Sequence, residues 1–286
     1  VIETVLGRSL CLPIRRIAGP GAFLAIDPLD EHEDDEDSIV LLPGAELPAG
    51  AKVGDVVQVF IYLDSDDRPI ATTRTPALTL GEVTFLEVTS VTDIGAFVDW
   101  GLPKELLVPY AEQARELRVG DRHPIGLYLD KSDRLAGTMY VTDMLGRPPR
   151  RIARDEWIEG EAWRNDPDIG LFAILERSYV GLVPATEPHR LARGDRAKFR
   201  VAHILPDGKL VLSLRQLAHK ERASDAETIL AVLSRAGAPQ VGDHSDPETI
   251  RALFGLSKKA FKRALGGLLK DHKVTFDERG FVRVVR

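Results

Sequence analysis

The chain has 286 residues, 44% of them apolar, and carries 38 Lys and Arg against 44 Asp and Glu for a net charge of -6. That length supports more than one core, and the acidic balance excludes a uniformly basic nucleic-acid binder, leaving polyanion contact to local patches. No apolar run reaches the ~18 residues of a membrane span and the start lacks a signal peptide's basic and apolar segments, so a soluble, cytoplasmic protein with no membrane partner is expected.

Three signatures recur in the same order along the chain. Copy one runs Gly21-Ala22-Phe23, then Leu42-Pro43-Gly44-Ala45-Glu46, then Val53-Gly54-Asp55, and closes on the turn Asp64-Ser65-Asp66-Asp67. Its extra length is the run Asp30-Glu31-His32-Glu33-Asp34-Asp35-Glu36-Asp37, which lacks the spacing and closing Glu of a calcium loop and reads as a solvated acidic loop that would repel a polyanion from this copy. One cysteine, Cys11, excludes an internal disulfide, and its apolar-alternating surroundings predict a small core residue.

Copy two repeats the order as Gly95-Ala96-Phe97, Val108-Pro109-Tyr110-Ala111-Glu112 and Val119-Gly120-Asp121. Alternation predicts strands over 81–92, 94–100, 105–109, 123–130 and 135–141, with turns at Thr92-Asp93, Gly101-Leu102-Pro103, Gly120-Asp121 and Lys131-Ser132-Asp133. Copy three has Gly170-Leu171-Phe172, Val183-Pro184-Ala185-Thr186-Glu187 and Arg193-Gly194-Asp195, with Pro206-Asp207-Gly208 as its last turn. A period of 74 to 75 residues, from Gly21 to Gly95 to Gly170, means three tandem copies of one small domain. Five short strands with a looped connection between the third and fourth make a five-stranded OB barrel, whose second and third strands form the usual ligand face.

From Ala223 the pattern becomes helical, and the local charge changes sign. Residues 219–286 hold 13 Lys and Arg against 9 Asp and Glu, or +4, which leaves -10 for residues 1–218. Ile229, Leu230, Val232 and Leu233 form one apolar face, ended by Gly237-Ala238-Pro239. Asp246-Pro247 caps a second helix with Ile250, Leu253 and Phe254 inward, and Gly255 stops it. Ser257 caps a third, with Phe261, Leu265, Leu268 and Leu269 inward and Lys258, Lys259, Lys262 and Arg263 outward. A hairpin from Val274 to Val285 follows, so three helices and a wing predict a winged helix with the third helix in the recognition position.

The fold class is therefore mainly β with a C-terminal α/β winged helix. Expected domains are barrels at 1–76, 77–147 and 148–218 and a winged helix at 219–286. The linkers are short: Thr75-Pro76, Arg147-Pro148-Pro149-Arg150 and the helix-prone stretch from Leu217 to Arg222.

Strand parity places the phenylalanines. Phe97 shares a face with Asp99, opposite Ala96, Val98 and Trp100; Phe23 goes with Asp27, opposite Ala22, Leu24 and Ile26; Phe172 goes with Glu176, opposite Leu171, Ala173 and Leu175. Each aromatic is thus expected on the water-facing side, where it can stack a base for roughly 1 to 3 kcal/mol. The competing reading has these rings covering a barrel mouth or a neighbouring domain.

The stretch from Gly81 to Tyr140, GEVTFLEVTSVTDIGAFVDWGLPKELLVPYAEQARELRVGDRHPIGLYLDKSDRLAGTMY, resembles the RNA-binding domain first described in ribosomal small-subunit protein one; copies one and three match more loosely. That resemblance implies base stacking at Phe23, Phe97 and Phe172. It also implies an acid and a base four residues apart near the last hairpin, matched by Asp130 and Arg134, by Asp64 and Arg68, and in copy three by Lys209 alone. The family's aromatic before Gly-x-Phe is Pro20, Ile94 and Ile169 here, and its His after Leu-Val is Pro43, Pro109 and Pro184. Tyr110 supplies an aromatic in copy two where the others have Gly44 and Ala185, making copy two the first choice for RNA contact.

Three such barrels followed by the phrase ALFGLSKKAFKRALGGL resemble, over essentially the whole chain, the bacterial conserved virulence factor B family. The resemblance implies an RNA-binding regulator of the expression of other genes. No His-x-x-x-His, Cys-x-x-Cys or phosphate-cradling Gly-Lys-Ser/Thr loop occurs, so a non-enzymatic protein with no cofactor and no metal is expected. Single-stranded RNA is the leading partner. A protein-interaction adaptor with unspecified protein partners and a DNA-binding regulator acting through the winged helix remain as alternatives.

Overall fold

The computed structural model describes residues 4–26, 38–148, 150–215, 218–235 and 239–285, and the chain forms two compact units, Val1–Leu214 and Arg215–Arg286. Asp27 and the acidic run 30–37 lie outside the described residues.

The first unit holds three five-stranded barrels. Barrel one comprises β1 (Ser9–Ala18), β2 (Gly21–Ala25), β3 (Ile39–Pro43), β4 (Val56–Leu63) and β5 (Pro69–Thr72), closed in the order β1-β2-β3-β5-β4. Barrel two has β6 (Val83–Val91), β7 (Gly95–Asp99), β8 (Leu106–Pro109), β9 (Arg122–Leu129) and β10 (Leu135–Thr138), hydrogen-bonded as a sheet in the order β10-β9-β6-β7-β8. Its β8–β10 seam closes by packing: a Cβ on Gly137 would stand 2.8 Å from Val108 Cγ2. Barrel three is β11 (Trp157–Asp166), β12 (Gly170–Leu175), β13 (Tyr179–Pro184), β14 (Arg196–Ile204) and β15 (Leu210–Ser213), again closed as first-second-third-fifth-fourth. The parallel pairing of third with fifth strand, Leu41 with Ile70 and Gly181 with Leu210, turns a meander into this barrel. The fifth strand of barrel two stops at Thr138 rather than running to 141, because Met139 N–H donates to the Glu112 carbonyl and Val141 opens a 3-10 turn.

Each repeated signature has a structural cause. At Gly95 the third strand crosses so closely that a Cβ would lie 2.3 Å from the Val108 carbonyl oxygen, and the same approach recurs at Gly21 and Gly170. In copies one and three the Glu of the second signature ties the turn after the third strand to the end of the fifth. Glu46 accepts from the Thr72 hydroxyl at 2.6 Å and Thr73 N–H at 2.8 Å; Glu187 accepts from Ser213 and from Leu214 N–H. The Gly-Asp of the third signature pairs with the bulge of the first strand: Gly120 N–H donates to the Val88 carbonyl and Val88 N–H to that of Asp121, with equivalents at Ile14 and Ala162.

Parity holds on the inner faces. Ala22, Leu24, Ala96, Val98, Trp100, Leu171, Ala173 and Leu175 are buried, whereas the three phenylalanines are half-buried. Ile26, expected inward, is also only half-buried. Cys11 corrects the expectation of a core residue: Leu12 and Ile14 take the inward positions of β1, and the thiol is exposed on the other face.

The barrels pack on one another within the unit. Trp100 of barrel two meets Phe60 and Tyr62 of barrel one edge-on at ring separations of 5.8 and 6.4 Å, and its indole donates to the Lys104 carbonyl at 2.6 Å. Between barrels two and three, the buried Glu161 accepts from the Thr84 hydroxyl (2.8 Å), Phe85 N–H (3.0 Å) and Arg196 (3.1 Å), beside an apolar cluster of Val83, Phe85, Val141 and Ile174.

The second unit has α1 (Ala218–Leu233), α2 (Pro247–Phe254), α3 (Lys258–Lys270), β16 (Val274–Phe276) and β17 (Val282–Val284), the order of a winged helix. Helix α1 starts at Ala218, so most of the supposed linker 217–222 is helical. Asp246 caps α2 by accepting from Glu248 and Thr249 N–H, Pro247 occupies the first turn, and Gly255 ends it in a left-handed conformation. Ile250, Phe254, Phe261, Leu265 and Leu268 are buried with Ile229. Leu253, expected inward, is 38% exposed, because Ile250 and Phe254 already fill that side of a two-turn helix.

Candidate nucleic-acid interface

Barrel two gathers three of its four expected contact residues into one groove, and Tyr110 is not in its lining. Phe97, Asp130 and Arg134 line a cavity of about 320 Å³ with Ile94, Pro109 and Leu107, and barrel one contributes Tyr62, Ser65 and Asp67 from β4 and the turn after it. The hairpin explains the acid and base four apart. Asp130 Oδ1 accepts from Ser132 and Arg134 N–H at 2.7 and 3.0 Å, which fixes the turn, while Oδ2 holds the Arg134 guanidinium at 3.2 to 3.3 Å. Burial alone would raise the Asp130 carboxyl, but these amides and the guanidinium outweigh it and hold it below the ordinary carboxylate range. The acid stays ionised at neutral pH and aims a cation at the groove.

Lys104, between the Gly101-Leu102-Pro103 turn and the third strand, was not among the expected site residues, yet it sits in the groove wall and donates to the Asp64 carbonyl (2.7 Å) and Asp67 (2.9 Å), fastening barrel two to the barrel-one hairpin. Its signal in the sequence is a cation directly after Gly101-Leu102-Pro103 in the only copy with that turn. Tyr110 is 52% exposed with its hydroxyl bonded to the Thr92 carbonyl at 2.6 Å, so its ring stands in solvent near the mouth of the β6–β7 turn. Ile94 and Ile169, at the positions before Gly-x-Phe, are likewise exposed.

The other barrels differ. Arg68 is paired with Asp64 and also with Asp66 at 2.8 Å, so two carboxylates already share it. In barrel three Leu205 takes the acid's place in the turn, and Lys209 pairs instead with Asp207 at 2.8 Å. Phe23 and Phe172 each carry a guanidinium on the ring, from Arg16 at 3.9 Å and Arg164 at 4.5 Å. Sequence reading missed both arginines. Aligning the copies on their Gly would have shown Arg, Ser90 and Arg at matching places five or six residues upstream.

In the second unit the four cations of α3 are not equivalent. Lys262 bonds Asp243 at 3.0 Å and Arg263 reaches Asp225 at 3.4 Å, whereas Lys259 at the start of the helix is exposed and Lys258 half-buried. Among the described residues no cluster of three or more His, Cys, Asp or Glu could hold a metal ion, and no helix is long and apolar enough to cross a membrane.

Known families and proteins resemble this chain. Residues 6–74 and 80–140 match the S1 domain family, and residues 227–282 match the CvfB-like winged helix domain. YitL of Bacillus subtilis is 32% identical over 300 residues, covering 96% of this chain and 92% of that protein. Conserved virulence factor B of Staphylococcus aureus strain N315 is 29% identical over 250 residues, covering 82% and 83%. A crystal structure from Streptococcus pneumoniae, described as a multidomain protein with nucleic acid binding domains, is 28% identical over 99% of both chains at a TM-score of 0.43. With two S1 domains, the matching winged helix and this identity along nearly its whole length, the chain belongs to the conserved virulence factor B family.

Proposed function

We propose that the protein is a non-enzymatic RNA-binding regulator of gene expression that holds single-stranded RNA in the groove of barrel two, with the start of α3 supplying a separate phosphate contact. The observation that carries this reading is the convergence of an outward aromatic, Phe97, and an oriented cation, Arg134, on one groove. A flat ring beside a guanidinium suits a base followed by its phosphate, and a half-exposed ring is available only to unpaired bases. The S1 and winged-helix families are nucleic-acid-binding domains, which supports the class of ligand. Lys258 and Lys259 lie at a helix start, where backbone N–H groups also favour a phosphate.

Titrating the full chain with single-stranded RNA, single-stranded DNA and duplex DNA at two salt concentrations tests the proposal. Preference for RNA that is lost in Phe97→Ala supports it. Preference for duplex DNA lost in the Lys258→Glu, Lys259→Glu variant would move the function to the winged helix, and no nucleic-acid binding would leave a protein-interaction adaptor.

A further inference from the structure

The three outward phenylalanines sit in different company. Across the bulge of the first strand, Phe23 is registered with Arg16, Phe97 with Ser90 and Phe172 with Arg164. On the other flank all three have a leucine of the third strand: Leu41, Leu107 and Leu182. In barrels one and three the guanidinium lies over the ring, within the roughly 6 Å reach of a cation–π contact, so the side of the ring facing the first strand is occupied. Ser90 is too short to cover a ring, and Phe97 lines an open groove.

Both arginines are exposed, and among the described residues neither forms an ion pair with a carboxylate. A guanidinium laid on a ring uses its face there and keeps the in-plane N–H donors of its edge free. Those donors match phosphate oxygens, and stacking has already removed much of the side chain's rotamer freedom. The same ring that offers a base platform in barrel two therefore serves in its neighbours as a seat for a cation.

We propose that the barrels divide a single strand of RNA by chemistry: barrel two stacks a base on Phe97, and barrels one and three hold backbone phosphates on Arg16 and Arg164. This deepens the RNA reading above and rests on it. Phosphate contacts release counterions and base stacking does not, so salt dependence separates the two roles.

The test is the affinity of the full chain for an oligouridine long enough to span three barrels, measured by fluorescence anisotropy between about 50 and 300 mM salt. Arg16→Ala and Arg164→Ala should each lower the slope of log affinity against log salt by about 0.7, the value for one phosphate on a single strand. Arg16→Lys should retain the slope. Phe97→Ala should weaken binding about 5- to 150-fold with the slope unchanged. Ser90→Arg should raise the slope by about 0.7 and shrink the effect of a subsequent Phe97→Ala. Arginine variants that leave the slope unchanged, or bind more tightly because a ring has been uncovered, overturn the division. A wild-type chain with no affinity for the oligomer overturns the RNA reading itself.

Discussion

Replacing Glu161 by Ala tests the junction of barrels two and three. The carboxylate is buried and accepts three hydrogen bonds, two from barrel two (the Thr84 hydroxyl and Phe85 N–H) and one from Arg196 within barrel three. Thr84 and Phe85 are themselves almost fully buried, and water entering from the adjoining cavity of about 720 Å³, which Thr84 and Glu161 line, would restore only part of the lost acceptor. Each stranded donor costs about 1 to 3 kcal/mol, and the sum for two is about 3 kcal/mol once the lost charge-assisted bond to exposed Arg196 is taken as small. At about 2 to 4 °C per kcal/mol for a unit of this size, thermal unfolding followed by calorimetry should drop about 6 to 12 °C. Glu161→Gln keeps one acceptor and should fall between the two. A double-mutant cycle with Thr84→Val should show coupling, because Val removes the need for an acceptor as well as the donor. A shift under about 2 °C in Glu161→Ala would refute the idea that this carboxylate holds the junction.

Gly95→Ala puts a methyl against the Val108 carbonyl and should destabilise barrel two by more than about 2 kcal/mol, read as a lower midpoint in urea with soluble yield as a second measure. His123, buried at the two–three junction, has its pKa lowered by burial first and by the Arg193 charge second, against an opposing pull from Asp121. The unfolded chain therefore binds its proton more readily, so stability is full above about pH 6.5 and falls on acidification below it, with a slope of at most about 1.4 kcal/mol per pH unit. His123→Gln should flatten that part of a calorimetric pH profile. Asp130 has a lowered pKa, so its hold on Arg134 persists above the ordinary carboxylate value and is lost only as pH falls through the folded one; it should contribute no change in RNA affinity between pH 5 and 8.

Much of the fold was legible because the repeat is imposed by backbone geometry. Gly95, Glu46 and the Gly120-Asp121 pair recur in register since close approach, strand tie and bulge pairing each admit few residue types. The half-exposure of the phenylalanines was readable for a similar reason, as parity is a property of one strand. What lay across strands was not. The bulges between Ile14 and Arg16 and between Ala162 and Arg164 shift the register, so only the folded sheet shows that an arginine lands on the ring. Cys11 was misread because alternation gives two faces without saying which is the inner one. The meeting of Trp100 with Phe60 and Tyr62, and of Glu161 with Thr84, joins residues from different copies, and a repeat read one copy at a time has no signal for its neighbour.

Photo-crosslinking of 4-thiouridine-substituted single-stranded RNA to the full chain, followed by tryptic mass mapping, addresses the barrel-two groove most directly. Crosslinks should concentrate in the peptide between Arg74 and Lys104, which carries Phe97, and disappear from it in Phe97→Ala while the protein remains folded. Crosslinks confined to the winged helix, or a Phe97 peptide labelled no more than the rest of the surface, would contradict the account.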